Sequence, residues 1–190
     1  GIFRQLGLMP DPSAAVAEAI QVMHSWQAEI DFAVPTADNA AKQLALRLHG
    51  KLPIAYGGGL LAEVARRWKG QFNENAKNWG AFEVLPELDH NAVLGYEHPA
   101  GLADRLTVLM LTCPADHPRV ALRQKVTADL LQKAGVAVEW VAARGQGKPA
   151  QMLSIIHFGD YVSYYLALLN GADPSHVNAI NYLKKVLAAD

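Results

Sequence analysis

The stretch from Leu52 to Asn91 constrains the fold of this chain more than any other. A short apolar run, Leu52-Pro53-Ile54-Ala55-Tyr56, ends in three glycines, Gly57, Gly58 and Gly59. A helical pattern follows at once: Leu61, Val64, Ala65, Trp68 and Phe72 step mostly by three and four, as one packed helix face requires. A second apolar run, Ala81 to Leu85, leads into the acidic turn Pro86-Glu87-Leu88-Asp89-His90-Asn91. Strand, glycine turn, helix, strand is the order in which parallel strands are joined by a crossover helix. Pro53 cannot donate to a sheet ladder, which suits the first position of its strand or a sheet edge.

The remainder extends the alternation. Arg105 to Cys113 is a nearly continuous apolar run of the kind buried on both faces of a parallel sheet. A helix is predicted from Val120 to Ala134, ending at Gly135, then a strand over Val136–Ala142 and a long helix over Ala150–Leu169, ending at Gly171. Two helices come first. One opens at Asp11-Pro12 and carries Val16, Ile20, Met23, Trp26 and Ile30 at helical spacing; the other runs from Asn39 to Leu48. Residues 88–96 read as a short helix, and Asp173-Pro174 as the cap of a last helix from His176 to Leu187. The expected fold class is α/β, a doubly wound, mostly parallel sheet of four or five strands with helices on both faces. Residues 1–50 form leading helices and 51–190 the sheet domain.

At 190 residues, 51 % apolar, 18 % charged and with a net charge of −1, the chain can bury a sizeable core and carries no electrostatic footprint for nucleic acid or an anionic membrane. No window approaches 18 uncharged apolar residues, so no membrane span is expected. Cys113 is the only cysteine, which leaves no internal disulfide and no multi-cysteine zinc site, and fits a reducing cytoplasm. No His/Asp/Glu pairing suggests a metal, and no Gly-x-Ser-x-Gly elbow suggests a serine hydrolase. The glycine turn is a weak phosphate signal. Amides at a helix start can hold an anion, but residue 62 is Ala, no Gly-Lys-Ser/Thr follows, and no hydroxyl is near. A tight strand–helix turn accounts for the glycines without a ligand, so no nucleotide cofactor is expected.

Three groups able to move protons stand out. Glu74 lies two positions past Phe72, about 200° round the helix, so it points away from the apolar face. A solvated helix carboxylate would do the same. Yet Asn73-Glu74-Asn75 is a polar cluster in a helix where Asn has poor propensity, and a cluster that costs helix stability invites a functional reason. His90 sits in an acidic turn, where an exposed histidine is ordinary, but imidazole is the side chain best suited to exchange protons near neutral pH. Lys184, beside Lys185 at the end of the last helix, complements the helix dipole. His157, three before Asp160 in an apolar helix, reads as a satisfied core or half-buried residue. His117, after Asp116 at the end of a strand, could face a ligand but has no partner at ligand spacing.

Taken together, Trp68-Lys-Gly-Gln-Phe-Asn-Glu-Asn-Ala-Lys77, Leu85-Pro-Glu-Leu-Asp-His-Asn91, and Asp173-Pro174 leading into Tyr182-Leu-Lys184 resemble the bifunctional phosphoglucose/phosphomannose isomerase family. The likeness runs from about Phe3 to the end and corresponds to the second of that family's two sugar isomerase (SIS) domains with its preceding linker helix. The resemblance implies aldose–ketose isomerisation of a hexose 6-phosphate through a cis-enediolate. It implies Glu74 as the base that carries the proton between C1 and C2, His90 as a ring opener supplied across a homodimer interface, and Lys184 as a contact near the ring oxygen. No metal or nucleotide is needed for this chemistry. The family's Ser/Thr-rich phosphate loop and enediolate-stabilising arginine have no match here, which implies a further SIS domain upstream of Gly1. Two other readings remain: a non-catalytic SIS module that binds a phosphosugar or dimerises, and an isomerase for another phosphosugar.

Overall fold

The computed structural model describes residues 1–188. In chain order its elements are α1 (Ile2–Gln5), α2 (Ser13–Ile30), α3 (Ala40–Leu48), β1 (Leu52–Gly58), α4 (Ala62–Glu74), β2 (Ala81–Leu85), β3 (Leu106–Thr112), α5 (Pro118–Lys133), β4 (Ala137–Ala142), α6 (Lys148–Leu169) and α7 (Asn178–Leu187). The four strands form one sheet in the order β2-β1-β3-β4, and every neighbouring pair is parallel. Ile54 at the centre is level with Ala81 on one side and Val108 on the other.

Handedness sets which helix covers which face. The step from β1 to β2 goes one way across the sheet; the steps from β2 to β3 and from β3 to β4 go the other way. Right-handed crossovers therefore put α4 on one face, and α5 with the 86–105 connection on the other. The pleat divides the apolar residues accordingly. Ala55, Leu109 and Leu111 join Trp68, Phe72, Ile155 and Leu166 in the larger core, which also takes Trp26 and Ile30 of α2 and Leu44 and Leu48 of α3. Tyr56, Val108 and Met110 join Leu88, Ala128 and Leu131 in the smaller one. β1 and β3 are thus buried on both faces, as their unbroken apolar runs require.

The glycine turn is a packing device. A Cβ at Gly57 would lie 2.3 Å from the Leu61 carbonyl oxygen, and one at Gly58 would lie 2.8 Å from Val120 Cγ1. Only glycine lets the strand meet both helices this closely. α6 is long and apolar enough to cross a membrane by length and composition, but it packs against α2, α3 and α4, and that burial accounts for its apolarity. Gly159 of α6 admits the Trp68 ring, which a Cβ would meet at 2.6 Å; Trp68 Nε1 donates to the Ile155 carbonyl at 3.1 Å and fixes α4 against α6.

Several local expectations change. Residues 88–96 form two single 3-10 turns, Glu87–His90 and Ala92–Leu94, rather than a helix. Asp89, which would have capped a helix, instead accepts hydrogen bonds from Arg123 and Thr127 of α5, and Asn91 caps only its own next residue. The last helix starts at Asn178, because Asp173 accepts from the backbone N–H and hydroxyl of Ser175 in a local turn instead of capping at His176. On α2 the buried side of the helix carries Ala19, Trp26 and Ile30; Val16 and Ile20 stay about half exposed.

Candidate active site

Glu74 is the last residue of α4. That helix starts at the carboxyl edge of the sheet and returns to the amino edge, where α6 also ends and α7 begins. At this edge a cavity of about 540 Å³ opens between the end of α4 and the 172–180 segment, lined by Asn73, Glu74, Lys77, Asp173, His176 and Asn178 among others. This volume lies within the range of about 300–1,000 Å³ usual for small-molecule sites. Glu74 also borders a shallower polar hollow of about 380 Å³ with Arg66, Arg67 and Asp160. It is exposed, and among the described residues its carboxylate has no hydrogen-bond or ion-pair partner.

The asparagines beside it have structural work. Asn73 Oδ1 accepts from Gly80 N at 3.1 Å, and Asn75 Nδ2 donates to Ser163 Oγ at 2.8 Å. Asn78 Nδ2 donates to the Lys51 and Trp79 carbonyls at 3.2 and 3.0 Å. The polar cluster is therefore explained by the turn into β2 and the tie to α6, and only Glu74 is left facing open space. Lys77, missed as a candidate from sequence, has φ of +52° and donates from Nζ to the Glu74 carbonyl at 2.6 Å and the Pro174 carbonyl at 3.2 Å. Its one sequence signal was its position at the end of the Asn-Glu-Asn-Ala-Lys segment.

Lys184 is exposed on α7. It lies four residues beyond Ile180, the last residue lining the cavity, on the same side of the helix and about 6 Å further along its axis. His90 is elsewhere. Its turn lies on the α5 face of the sheet, anchored by Asp89 to Arg123 Nη1 at 2.9 Å and to Thr127 Oγ1 at 3.0 Å. The sheet stands between His90 and Glu74. The structure thus brings together Glu74 and the α7 helix bearing Lys184, and leaves His90 exposed on the other side. Beside Asp89 of the same turn, Leu122, Val126 and Leu130, spaced by four on α5, are exposed, as is Leu94 four residues after His90.

Two further histidines stood out in the sequence, and one of them has a structural role. His117 Nδ1 accepts from Arg119 N at 3.1 Å, capping α5. His157 is half-buried rather than satisfied: its Nε2 is buried without a partner, and burial holds its pKa below the usual imidazole value. At the carboxyl edge, where open α/β sheets bind ligands, the loop after β3 carries the half-buried Asp116. Its carboxylate accepts from Cys113 N at 3.1 Å and Gln124 Nε2 at 3.2 Å, and burial, with Asp116 alongside, pushes the Cys113 thiol up to about 11.

Residues 37–187 match the family described as bacterial phospho-glucose isomerase C-terminal SIS domain. The chain belongs to this family. A bifunctional phosphoglucose/phosphomannose isomerase of Caldicellulosiruptor bescii is 38 % identical over 188 residues, 98 % of this chain and 56 % of that protein. One from Aquifex aeolicus is 38 % identical over 146 residues, 77 % of this chain and 45 % of that protein. This SIS domain therefore spans about half the length of the curated relatives it matches. In fold it is similar to a glucose-6-phosphate isomerase like protein from Thermus thermophilus, with a TM-score of 0.73 at 22 % identity, covering 97 % of this chain and 59 % of that one.

Proposed function

We propose that this SIS domain supplies the proton-transfer part of an isomerase that interconverts glucose or mannose 6-phosphate with fructose 6-phosphate through a cis-enediolate. The observation that carries the reading is Glu74: an unpartnered carboxylate on the wall of a 540 Å³ cavity, in a chain 38 % identical to bifunctional phosphoglucose/phosphomannose isomerases. In the open-chain aldose phosphate, the Glu74 carboxylate takes the proton from C2, leaving an enediolate; the hydroxyl proton passes from O2 to O1, and Glu74 returns its proton to C1 as the ketose forms. One carboxylate can serve both carbons because they are adjacent. Before this the ring opens: the O1 hydroxyl loses its proton, the C1–O5 bond breaks and O5 gains a proton. Lys184, beside the cavity, and His90 are the groups proposed to handle that transfer.

The sheet between Glu74 and His90 supports a homodimer in which His90 serves the partner's cavity. The exposed apolar residues around the His90 turn suit such an interface. The substrate phosphate needs donors beyond those at the Glu74 cavity, and we propose that a preceding SIS domain of a longer protein provides them. The 190-residue chain alone is then expected to show little or no isomerase activity, and robust turnover of glucose 6-phosphate by it would contradict this. In the full-length protein, Glu74→Gln is expected to lower turnover by about 10²–10⁴-fold while calorimetry still detects substrate binding. Retained turnover would overturn the assignment and favour a binding or dimerising module.

A further inference from the structure

The wall of the Glu74 cavity opposite α4 is hardly packed at all. No residue from Ser175 to Ala188 is buried, and even Val177 and Ile180 are 39 % and 42 % exposed, so burial holds α7, and with it Lys184, only loosely against the Glu74 side. Polar ties across the gap add to this, and Lys77 makes the most direct one. Its ammonium donates to the carbonyl of Glu74 itself and to the carbonyl of Pro174, bridging the end of α4 and the segment that leads into α7. Asn170 Nδ2 adds a second tie from the end of α6 to the Ala76 carbonyl at 3.0 Å.

The backbone at Lys77 adds an independent reason to single it out. Among the described residues it is the only non-glycine with positive φ. Glycine adopts this conformation freely and lysine does not, and such strain persists where the surroundings over-determine it. A lysine at a position that suits glycine points to use of its side chain. Two carbonyls call for a donor with more than one proton, which an ammonium has.

We infer that Lys77 is a positioning residue, a pin that sets the α7 wall, and with it Lys184, against Glu74. This rests on the catalytic reading of Glu74 for its consequence, but not for the pin itself. Lys77 need not touch substrate; removing its ammonium lets the wall drift from the base.

The variant Lys77→Gly separates the two contributions, since it relieves the backbone and removes the ammonium. In the full-length protein, amide hydrogen exchange over residues 172–187 is expected to speed up at least about tenfold, with the unfolding midpoint unchanged or raised. The same variant is expected to lose about tenfold or more in kcat, and Lys77→Arg, which keeps a charged multiple donor, to recover part of it. Unchanged exchange over 172–187 would overturn the pin whatever the enzyme does. Faster exchange with wild-type kcat would overturn the positioning role. Failure of the catalytic reading itself registers separately, as wild-type turnover in Glu74→Gln.

Discussion

At the carboxyl edge of the sheet, two carboxylates of the chain are held by backbone amides. Asp116, in the loop after β3, accepts from Cys113 N and Gln124 Nε2. Glu18, from α2, accepts from Gln146 N at 2.6 Å and Gly147 N at 3.1 Å, at the start of α6 where an anion would otherwise sit. At the amino edge, the Glu74 carboxylate has no such partner and faces a cavity. The same functional group is structural where the backbone holds it and available for chemistry where nothing does. The carboxyl edge should accordingly govern stability, and the amino edge turnover.

Four substitutions probe that division, starting with the largest effect. Trp68→Ala removes the side chain that fixes α4 to α6 and should cost about 3–5 kcal/mol in denaturant unfolding, disordering Glu74 with it. A protein that kept its stability would break the link between core and site. At the carboxyl edge, Gly58→Ala drives a Cβ to 2.8 Å from Val120 Cγ1 and 3.1 Å from Leu85 Cβ; about 1–3 kcal/mol of stability should be lost, with turnover per folded molecule unchanged in the full-length protein. Asp116→Ala strands Cys113 N and Gln124 and should cost about 1–3 kcal/mol. It also removes a negative charge that holds the Cys113 thiol up, so thiol alkylation near pH 8 should become faster in the folded state.

Glu18→Gln should have the smallest effect. Hydrogen bonds from Gln146 N and Gly147 N hold the Glu18 pKa below its ordinary value of 4.5. A carboxylate lowered by folding stabilises the fold above its unfolded pKa, and loses that contribution as pH falls through the lowered one. The variant should therefore melt below wild type at pH 7, and the gap should close as the pH drops below about 4. A gap that widened in acid would contradict the latch.

Much of this was legible in the sequence. The four strands and the helices between them follow from apolar runs and periodicity, and the glycines at 57–59 read correctly as a close strand–helix approach, although Gly57 and Gly58 complete β1 itself and only Gly59 lies past it. What was illegible depended on partners distant in sequence. Nothing near Asp89 announces Arg123 and Thr127, so the 88–96 segment resembled a helix. Nothing near Asn75 announces Ser163, so the asparagines seemed to call for a functional reason they do not need. Lys77 escaped notice because a positive φ leaves no trace in a lysine. Glu74, His90 and Lys184 could be singled out by residue chemistry and took their roles from motif resemblance, but the separation of His90 from the other two by the sheet could be read only once strand order and handedness were known.

That separation makes the composite site the central claim, and subunit complementation tests it most directly. Full-length Glu74→Gln and His90→Asn are each expected to be nearly inactive alone. Co-expressed, they should form mixed dimers in which one of the two sites holds both native residues, restoring about a quarter of wild-type turnover if the chains pair at random. Mixed dimers that form but recover no activity, or a His90→Asn protein that is fully active by itself, would contradict the account.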